Sequence, residues 1–368
     1  MTRPRPLAAA LAAGLLVLAA CSGESTSTDA PTSTAGAPTT AAASSTDAPT
    51  TVPGTDAATT SPVTDAPTTT LPAGPVYPLT GLPVTDPTIA ARPAMVVKID
   101  NNKNARPQSG LNEADIVFEE IVEVQTRFAA VFHSQGSDPV GPIRSGRTQD
   151  VDLLGSLNRP LFVWSGGNPA VTDIIEASDL VELSALKSRV WNGGGFYRSS
   201  DRDAPHNEYA QTSMLWTLAP EGAGPPPQQF QYLSSGQAAV GSPSNGCSGE
   251  MDGLSVDWRY DPASGLYLRN SAGVPHNDTQ SGQVSTNNVI VMEVTYRPSQ
   301  VDSRSPEAQT IGSGTVMVFT GGVMIHGTWS RADRLSPITL TDDAGNPILL
   351  TPGRTFVELA RSGTFSAV

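Results

Sequence analysis

The sequence contains few of the residues that most readily identify an enzyme or a disulfide-stabilised domain. Its 368 residues include two cysteines and four histidines. This excludes a framework of several disulfides, and no histidine has a second histidine at the spacing of a helical or hairpin metal site. The sequence has no Gly-x-Ser-x-Gly elbow and no Cys–His signature. It therefore predicts no cofactor and no metal site, and it leaves catalysis open.

Basic residues are also scarce. Lys and Arg number 22 against 35 Asp and Glu, which gives a formal net charge of −13. Because nucleic acid is itself a polyanion, this balance argues against it as a partner. After the first 21 residues, no apolar run is long enough to cross a bilayer.

Those first 21 residues have the pattern of a bacterial lipoprotein signal peptide. Arg3 and Arg5 precede an apolar run from Leu7 to Ala20, and the run ends in a Leu-Ala-Ala-Cys lipobox at Cys21. Such a run is too short to span a membrane and suits a signal peptidase. We expect cleavage before Cys21, lipidation of Cys21, and a protein anchored by lipid to the outer face of the cell membrane.

Residues 22–75 contain no aromatic residue, no lysine and no arginine. Thr, Ala, Pro and Ser supply 42 of these 54 residues, and a loose Thr-Asp-Ala-Pro unit recurs. Such a chain buries too little apolar surface to offset the entropy it loses on folding. We expect a disordered tether that spans roughly 40 Å as a flexible coil.

Residues 76–220 combine short apolar runs with helical periodicity, which predicts a layered α/β domain. Strands are expected at 94–99, 115–124, 126–133 and 160–164, and a helix at 147–157. Asn168 and Pro169 form a helix start, because Asn can cap the helix and Pro suits its first turn. A last helix is expected from Asn207 to Leu218.

A domain boundary is expected at residues 222–227, Gly-Ala-Gly-Pro-Pro-Pro, because neither a helix nor a central strand accommodates this run. Residues 221–368 then predict a β-rich domain, with strands at 254–260, 266–269, 288–295, 314–319, 322–329, 337–341, 347–350 and 355–359. Two hairpins are expected, one turning at Gly321-Gly322 and one at residues 342–346. The predicted class is α+β: a disordered tether, a layered α/β region and a β-rich region.

Polar residues concentrate in the loops that join the elements of the first region. In an open α/β sheet such loops gather at one edge, where helix N-termini favour anions. Convergence would build a pocket for an anion or a polar glycan. Alternatively, the arginines pair with the abundant carboxylates or hold loops through hydrogen bonds to carbonyls. The candidate ligand-binding residues are Asp100, Asn101, Arg106, Arg144, Arg147, Asp201, Arg202 and His206.

Two classes of function fit these features. The first is a binding or scaffolding lipoprotein that recognises a cell-wall glycan, an anionic polymer or another envelope protein. The second is an envelope hydrolase whose site is built from His206, Asp201 and Arg144. Glu119, Glu120 and Glu123 could offer a carboxylate pair, but Glu119 and Glu120 point to opposite faces of a strand, and we interpret these residues as part of a solvated face.

Several short runs in both regions form a distinctive set. They are Ile99-Asp100-Asn101, 105–111 (Ala-Arg-Pro-Gln-Ser-Gly-Leu), Ala114-Asp115-Ile116-Val117, Thr126-Arg127-Phe128, 141–145 (Gly-Pro-Ile-Arg-Ser), Ala204-Pro205-His206-Asn207, 287–291 (Asn-Asn-Val-Ile-Val) and Gly327-Thr328-Trp329. Together these runs resemble the YerB-like family of bacterial lipoproteins, and the resemblance extends from about residue 78 to about residue 360. The family is a two-part domain of unknown function, so the resemblance implies a two-part architecture and a lipoprotein address but no catalytic residues.

Overall fold

The computed structural model describes residues 74–368. The predicted signal peptide, Cys21 and all of the predicted tether except its last two residues lie outside the described residues. Pro75, at the end of the predicted tether, accepts a backbone hydrogen bond from the Val84 amide at 2.9 Å.

Residues 76–220 form short strands and short helices. The helices are α1 Pro87–Ala90, α2 Gln149–Leu154, α3 Pro169–Glu176, α4 Ser188–Gly193 and α5 Thr212–Trp216, with 3-10 turns at Lys103–Ala105 and Gly155–Leu157. The strands are β1 Met95–Asp100, β2 Ile116–Val122, β3 Gln125–Phe132, β4 Leu161–Trp164, β5 Val181–Ser184, β6 Tyr197–Arg198 and β7 Glu208–Tyr209.

Residues 221–368 form strands joined by turns. The shorter strands are β8 Gln231–Tyr232, β9 Ser242–Pro243, β13 Val274–Pro275, β14 Asn277–Asp278, β15 Gly282–Gln283, β16 Ser285–Thr286, β18 Tyr296–Pro298, β19 Pro306–Ala308, β23 Leu349–Leu350 and β25 Phe365–Ala367. The longer strands are β10 Gly246–Met251, β11 Leu254–Asp261, β12 Leu266–Ser271, β17 Asn288–Glu293, β20 Gly312–Thr320, β21 Val323–Arg331, β22 Thr339–Asp342 and β24 Thr355–Ala360. The α/β region followed by a β-rich region is the predicted class.

Strands from both regions share the main sheet. Its order is β22-β21-β20-β17-β24-β2-β3-β1-β4-β5, with β9 paired to β21. The regions meet where β2 pairs in parallel with β24, with Ile116 opposite Thr355 and Glu119 opposite Glu358. A second sheet, β13-β12-β11-β10-β25, belongs to the β-rich region alone.

The two helices predicted to begin at Asn168 and Asn207 differ in how well the structure agrees with them. Asn168 accepts a hydrogen bond from the Val171 amide and Pro169 opens α3, which confirms the predicted helix start. The helix predicted from Asn207 to Leu218 is wrong in its first turns, because residues 208–209 form β7 and only Thr212–Trp216 is helical. The cause is tertiary: the Glu208 carbonyl accepts the Ile143 amide at 2.6 Å, which holds this segment extended.

The main sheet is covered by apolar side chains on both faces. On one face Val97, Phe128 and Phe356 pack together, and on the other Val96, Val131 and Val357 do so. Every residue of β2 is buried, including Glu119 and Glu120 at 0% exposure. The interpretation of these glutamates as a solvated face is therefore wrong. Strands on either side of β2 and packing on both faces enclose its charged side chains.

Candidate functional site

The candidate site lies where β1 ends. The loop of residues 141–147 lies against β1, because the Asp100 amide donates to the Pro142 carbonyl and the Arg144 amide to the Lys98 carbonyl, at 2.9 and 2.8 Å. The loop that precedes β7 brings His206 to the same place. We refer to Asp100, Arg144 and His206 as the Asp100 edge.

One carboxylate organises this edge. Asp100 Oδ2 lies 2.7 Å from His206 Nδ1 and 3.1 Å from Arg144 Nε. Asp100 Oδ1 accepts the Asn102 amide at 2.9 Å. The Asp100 side chain is completely buried, whereas those of His206 and Arg144 are 15% and 23% exposed. Since an unpaired buried carboxylate would be costly, these contacts fix His206 and Arg144 in place.

The remaining nitrogens of these two side chains are available to a ligand. Arg144 Nε is buried without an aligned hydrogen bond, so its contact with Asp100 is an ion pair only. Within residues 74–368, neither the Arg144 Nη atoms nor His206 Nε2 has a hydrogen-bond partner. With Nδ1 on Asp100, His206 Nε2 can accept a proton or, in the protonated ring, donate to an anion.

Further guanidinium groups lie close to this edge. Arg147 pairs with Glu123 at 2.6 Å and does not contact Asp100. Arg127, opposite Asp100 in the sheet, donates to the Ser145 carbonyl at 2.8 Å, and its buried Nε has no hydrogen-bond partner. Burial and, after it, the charges of Arg147 and Arg144 lower the pKa of Arg127 to about 10.

Further ion pairs surround the edge. Arg198 pairs with Glu208 at 2.5 Å. The guanidinium groups around the edge belong to Arg127, Arg144, Arg147 and Arg198, and the carboxylates that pair with three of them belong to Asp100, Glu123 and Glu208. Burial raises the pKa of Glu208, and its Oε1 is buried without a partner among the described residues.

Three of the predicted residues hold loops together. Arg106 donates to the Asn101 side chain and carbonyl, at 3.0 and 3.2 Å. Arg202 donates to the carbonyls of Ala105 and Pro107 and to the Tyr209 hydroxyl, at 2.8, 2.7 and 2.6 Å. These contacts are the predicted alternative, in which arginines fix loops through carbonyls.

Asp201 does not take part in the edge. It is exposed, and its carboxylate accepts only the Ser199 hydroxyl, at 3.1 Å, among the described residues. The sequence analysis grouped Asp201 with His206 in a candidate hydrolase site, but the carboxylate that contacts His206 is that of Asp100. Asp201 lies in a turn closed by its own neighbours, so its side chain does not reach the ring.

A buried polar network supports the Asn101 side of the edge from the β-rich region. Asn101 Nδ2 donates to Glu119, and Gln108 donates to the Asp100 carbonyl, at 3.0 and 2.9 Å. Gln108 Oε1 lies 2.7 Å from His276 Nε2, and the other His276 nitrogen contacts Arg269. Burial and then the Arg269 charge hold the pKa of His276 well below its ordinary value. A neutral His276 therefore links the two regions.

Sequence reasoning missed Arg127, Glu208, Gln108 and this network. Arg127 is a charged residue within an apolar strand, and that pattern is a usable signal because a buried charge needs a partner. Glu208 was hidden by the incorrect helix prediction. Gln108 was inside a run already singled out, but its partner His276 is distant in sequence, so no local pattern links them.

Other depressions in the described surface lie away from this edge. One of about 520 Å³ is lined by Asn158, Pro225–Pro227 and Leu335, and another of about 470 Å³ by Thr295, Arg297 and Trp329. We favour the Asp100 edge because it combines a buried carboxylate with unpartnered cationic donors. The described residues contain no group of three or more His, Cys, Asp or Glu side chains arranged to hold a metal ion. No helix within residues 74–368 has the length and apolar character needed to cross a membrane.

Comparison with known proteins agrees with the resemblance seen in the sequence. Residues 79–224 match the family described as "Protein of unknown function (DUF3048) N-terminal domain", and residues 250–357 match its C-terminal domain. The putative lipoprotein YerB of Bacillus subtilis (strain 168) is 29% identical over 293 residues, covering 77% of this chain and 85% of that protein.

The fold agrees as well. The crystal structure of the YerB protein from Bacillus subtilis superposes with a TM-score of 0.69 at 26% identity, covering 80% of this chain and 99% of that one. The matched ranges include β1, β2, β3 and the Asp100 edge in the N-terminal part, and β17 and the first half of β24 in the C-terminal part. The chain therefore belongs to the two-part DUF3048 family of YerB-like proteins.

Proposed function

We propose that the protein is a lipid-anchored envelope protein that binds an anionic group of a cell-wall polymer at the Asp100 edge. The lipobox at Cys21 and the similarity to a putative lipoprotein support the address. The observation that carries the binding function is the pair of side chains fixed on Asp100 Oδ2, Arg144 and His206, with their outer nitrogens unpartnered among the described residues.

An anion fits this arrangement better than a neutral ligand. Four guanidinium groups, those of Arg127, Arg144, Arg147 and Arg198, gather around this edge although the whole chain is acidic. A guanidinium presents a planar set of donors that matches the oxygens of a carboxylate or phosphate. Because Asp100 already orients Arg144, little conformational entropy is lost when a ligand binds.

The test is co-sedimentation of the purified full chain with cell-wall fragments, before and after their anionic polymers are extracted. Arg144→Ala should weaken binding by about 10-fold or more, because a hydrogen bond to a charged group contributes about 1.5–3 kcal/mol. Arg304→Ala is the matched control, because Arg304 is 83% exposed and pairs only with Asp302.

Two further results are expected if the protein binds an anionic wall polymer at the Asp100 edge. Extraction of the anionic polymers should remove most of the binding, and Arg304→Ala should behave as wild type. Equal binding by wild type and Arg144→Ala, or full binding to extracted walls, would overturn the binding proposal.

A second candidate function is hydrolysis of an ester in the envelope. The observation that favours it is the 2.7 Å contact between buried Asp100 and His206 Nδ1, because a carboxylate that orients a histidine is a common general-base arrangement. His206 Nε2 would remove a proton from water, while Arg144 would stabilise negative charge. Under this function His206→Gln abolishes turnover of a phosphate-ester or acyl-ester probe and leaves binding within a few fold.

A further inference from the structure

A fully buried group of one lysine and two acids lies beneath the Asp100 edge. Lys98 Nζ lies 2.7 Å from Glu120 Oε1 and 2.8 Å from Asp150 Oδ1, and all three side chains have no exposure. Lys98 is on the same strand and the same face as Asp100, two residues earlier. We call Lys98, Glu120 and Asp150 the Lys98 cluster.

The charges of this cluster do not balance if every group is ionised. One ammonium then faces two carboxylates, which leaves a net negative charge with no access to water. Such a charge is costly in a buried position, and two close carboxylates reduce the cost by holding one proton between them. The cluster therefore favours one protonated and one ionised acid.

The cluster also holds the loop that carries the cationic residues of the site. The Arg147 amide donates to Asp150 Oδ2 at 2.7 Å, and the Arg144 amide donates to the Lys98 carbonyl at 2.8 Å. Gln149 Nε2 donates to Glu120 Oε2 at 2.7 Å, which fixes the start of α2. Movement of either acid would therefore act on the segment from Arg144 to Gln149.

We propose that Glu120 holds a proton at neutral pH, and that this proton keeps the loop of Arg144 and Arg147 in the binding arrangement. The role given to the loop rests on the proposed anion binding. As pH rises past neutral, the proton leaves, the cluster becomes negative, and the loop loses its support.

The surroundings of Glu120 agree with this assignment. Burial and then the Asp150 charge raise the pKa of Glu120 to about 7, while Lys98 acts in the opposite direction. Arg127 faces Glu120 from β3, and Tyr296 lies close to it from β18. Glu307, from β19, is bound by the Thr148 hydroxyl beside the start of α2. Arg127 already has Asp100 and Glu123 nearby, so its charge is shared with other acids.

The direction of the pH effect follows from the raised pKa. The folded state binds one proton more than the unfolded state between the ordinary pKa of 4.5 and about 7. The contribution to stability is therefore complete below about pH 4.5 and is lost as pH rises through about 7. Across this window, one proton changes the unfolding equilibrium by about 10-fold per pH unit.

The test uses the full chain without any ligand. The infrared carbonyl band of protonated carboxyl groups should shrink in wild type as pH rises from 6 to 9. In both Glu120→Gln and Asp150→Asn, this band should already be smaller at pH 6, and it should shrink less than in wild type as pH rises. Amide hydrogen exchange at Arg144 and Arg147, corrected for its intrinsic pH dependence, should lose protection by up to about 10-fold per pH unit between about pH 5 and pH 7 in wild type, and the loss should level off above pH 7. Glu120→Gln should lack that loss. Glu176→Gln is the control, because Glu176 is an exposed carboxylate paired with Lys187.

Two outcomes would overturn the proposal. One is a protonated-carboxyl band that is the same in wild type and in both variants. The other is Arg144 and Arg147 protection that does not change with pH in wild type. If Glu120→Gln fails to fold, the wild-type pH series and Asp150→Asn still decide the question. These measurements need no anion, so a chain that holds the proton but binds no wall polymer would refute the proposed function alone.

Discussion

At the scale of single residues, the arginines of the loops divide between two tasks that the sequence left as alternatives. Arg144 has outer nitrogens without partners within residues 74–368 and lies on a buried carboxylate. Arg202 uses its guanidinium on two carbonyls and a hydroxyl. Sequence alone could not divide them, because both lie in polar loops and the difference is the identity of the nearest acceptor.

The substitution Arg202→Ala tests whether the Arg202 guanidinium stabilises the fold by holding loops together. Arg202→Ala should lower the free energy of unfolding by about 2 kcal/mol, because hydrogen bonds from a charged group contribute about 1.5–3 kcal/mol and this side chain is partly exposed. Urea unfolding of the purified full chain measures the change. Arg304→Ala, at an exposed pair, should alter stability by less than about 0.5 kcal/mol. Equal effects of the two substitutions would contradict the role given to Arg202.

At the scale of elements, local pattern predicted most strands but not their partners. The predicted run 355–359 corresponds to β24, and 115–124 contains β2, yet nothing in either run shows that the two strands pair. Their pairing is a contact between positions about 240 residues apart, and such contacts depend on the whole topology. The helix error at 207–211 has the same origin, because backbone hydrogen bonds to Val140 and Ile143, distant in sequence, overrode local propensity.

The shared sheet predicts that the two regions depend on each other. Without residues 221–368, β2 loses β24 and Glu119 loses its buried partner Arg269, which leaves a bare strand edge and an unpaired buried acid. Residues 76–220 alone should therefore show no cooperative thermal transition. Co-expression of 76–220 with 221–368 should yield a complex that purifies together and melts cooperatively. A sharp melt of 76–220 alone would show that this region is an independent domain.

At the scale of the whole molecule, local sequence patterns predict an address for the protein, whereas no local pattern predicts a ligand. The lipobox and the Thr-, Ala-, Pro- and Ser-rich stretch are local patterns that need no fold to be read. The Asp100 edge required the fold, because its three residues come from the end of β1 and from two separate loops. Its group of arginines on an acidic chain could not be deduced from a net charge of −13.

The predicted address is tested by lipid labelling in cells. Feeding a labelled fatty acid should label the wild-type chain and not Cys21→Ala, because Cys21 is the predicted lipidation site. The wild type should fractionate with membranes and the variant should not. Equal labelling of both chains would refute lipidation at Cys21.

The central claim is that His206 and Arg144 form one anion site, and the histidine ring resonances of the full chain test it most directly. His206 and His326 each have Nδ1 on an aspartate, Asp100 and Asp343, but only His206 lies beside unpartnered guanidinium nitrogens. Titration with inorganic phosphate, at ionic strength held constant with chloride, should shift the His206 ring signals to saturation and leave His326 unchanged. Arg144→Ala should weaken that response by about 10-fold or more. A His206 signal that does not move, or that moves only in step with His326, would contradict the account.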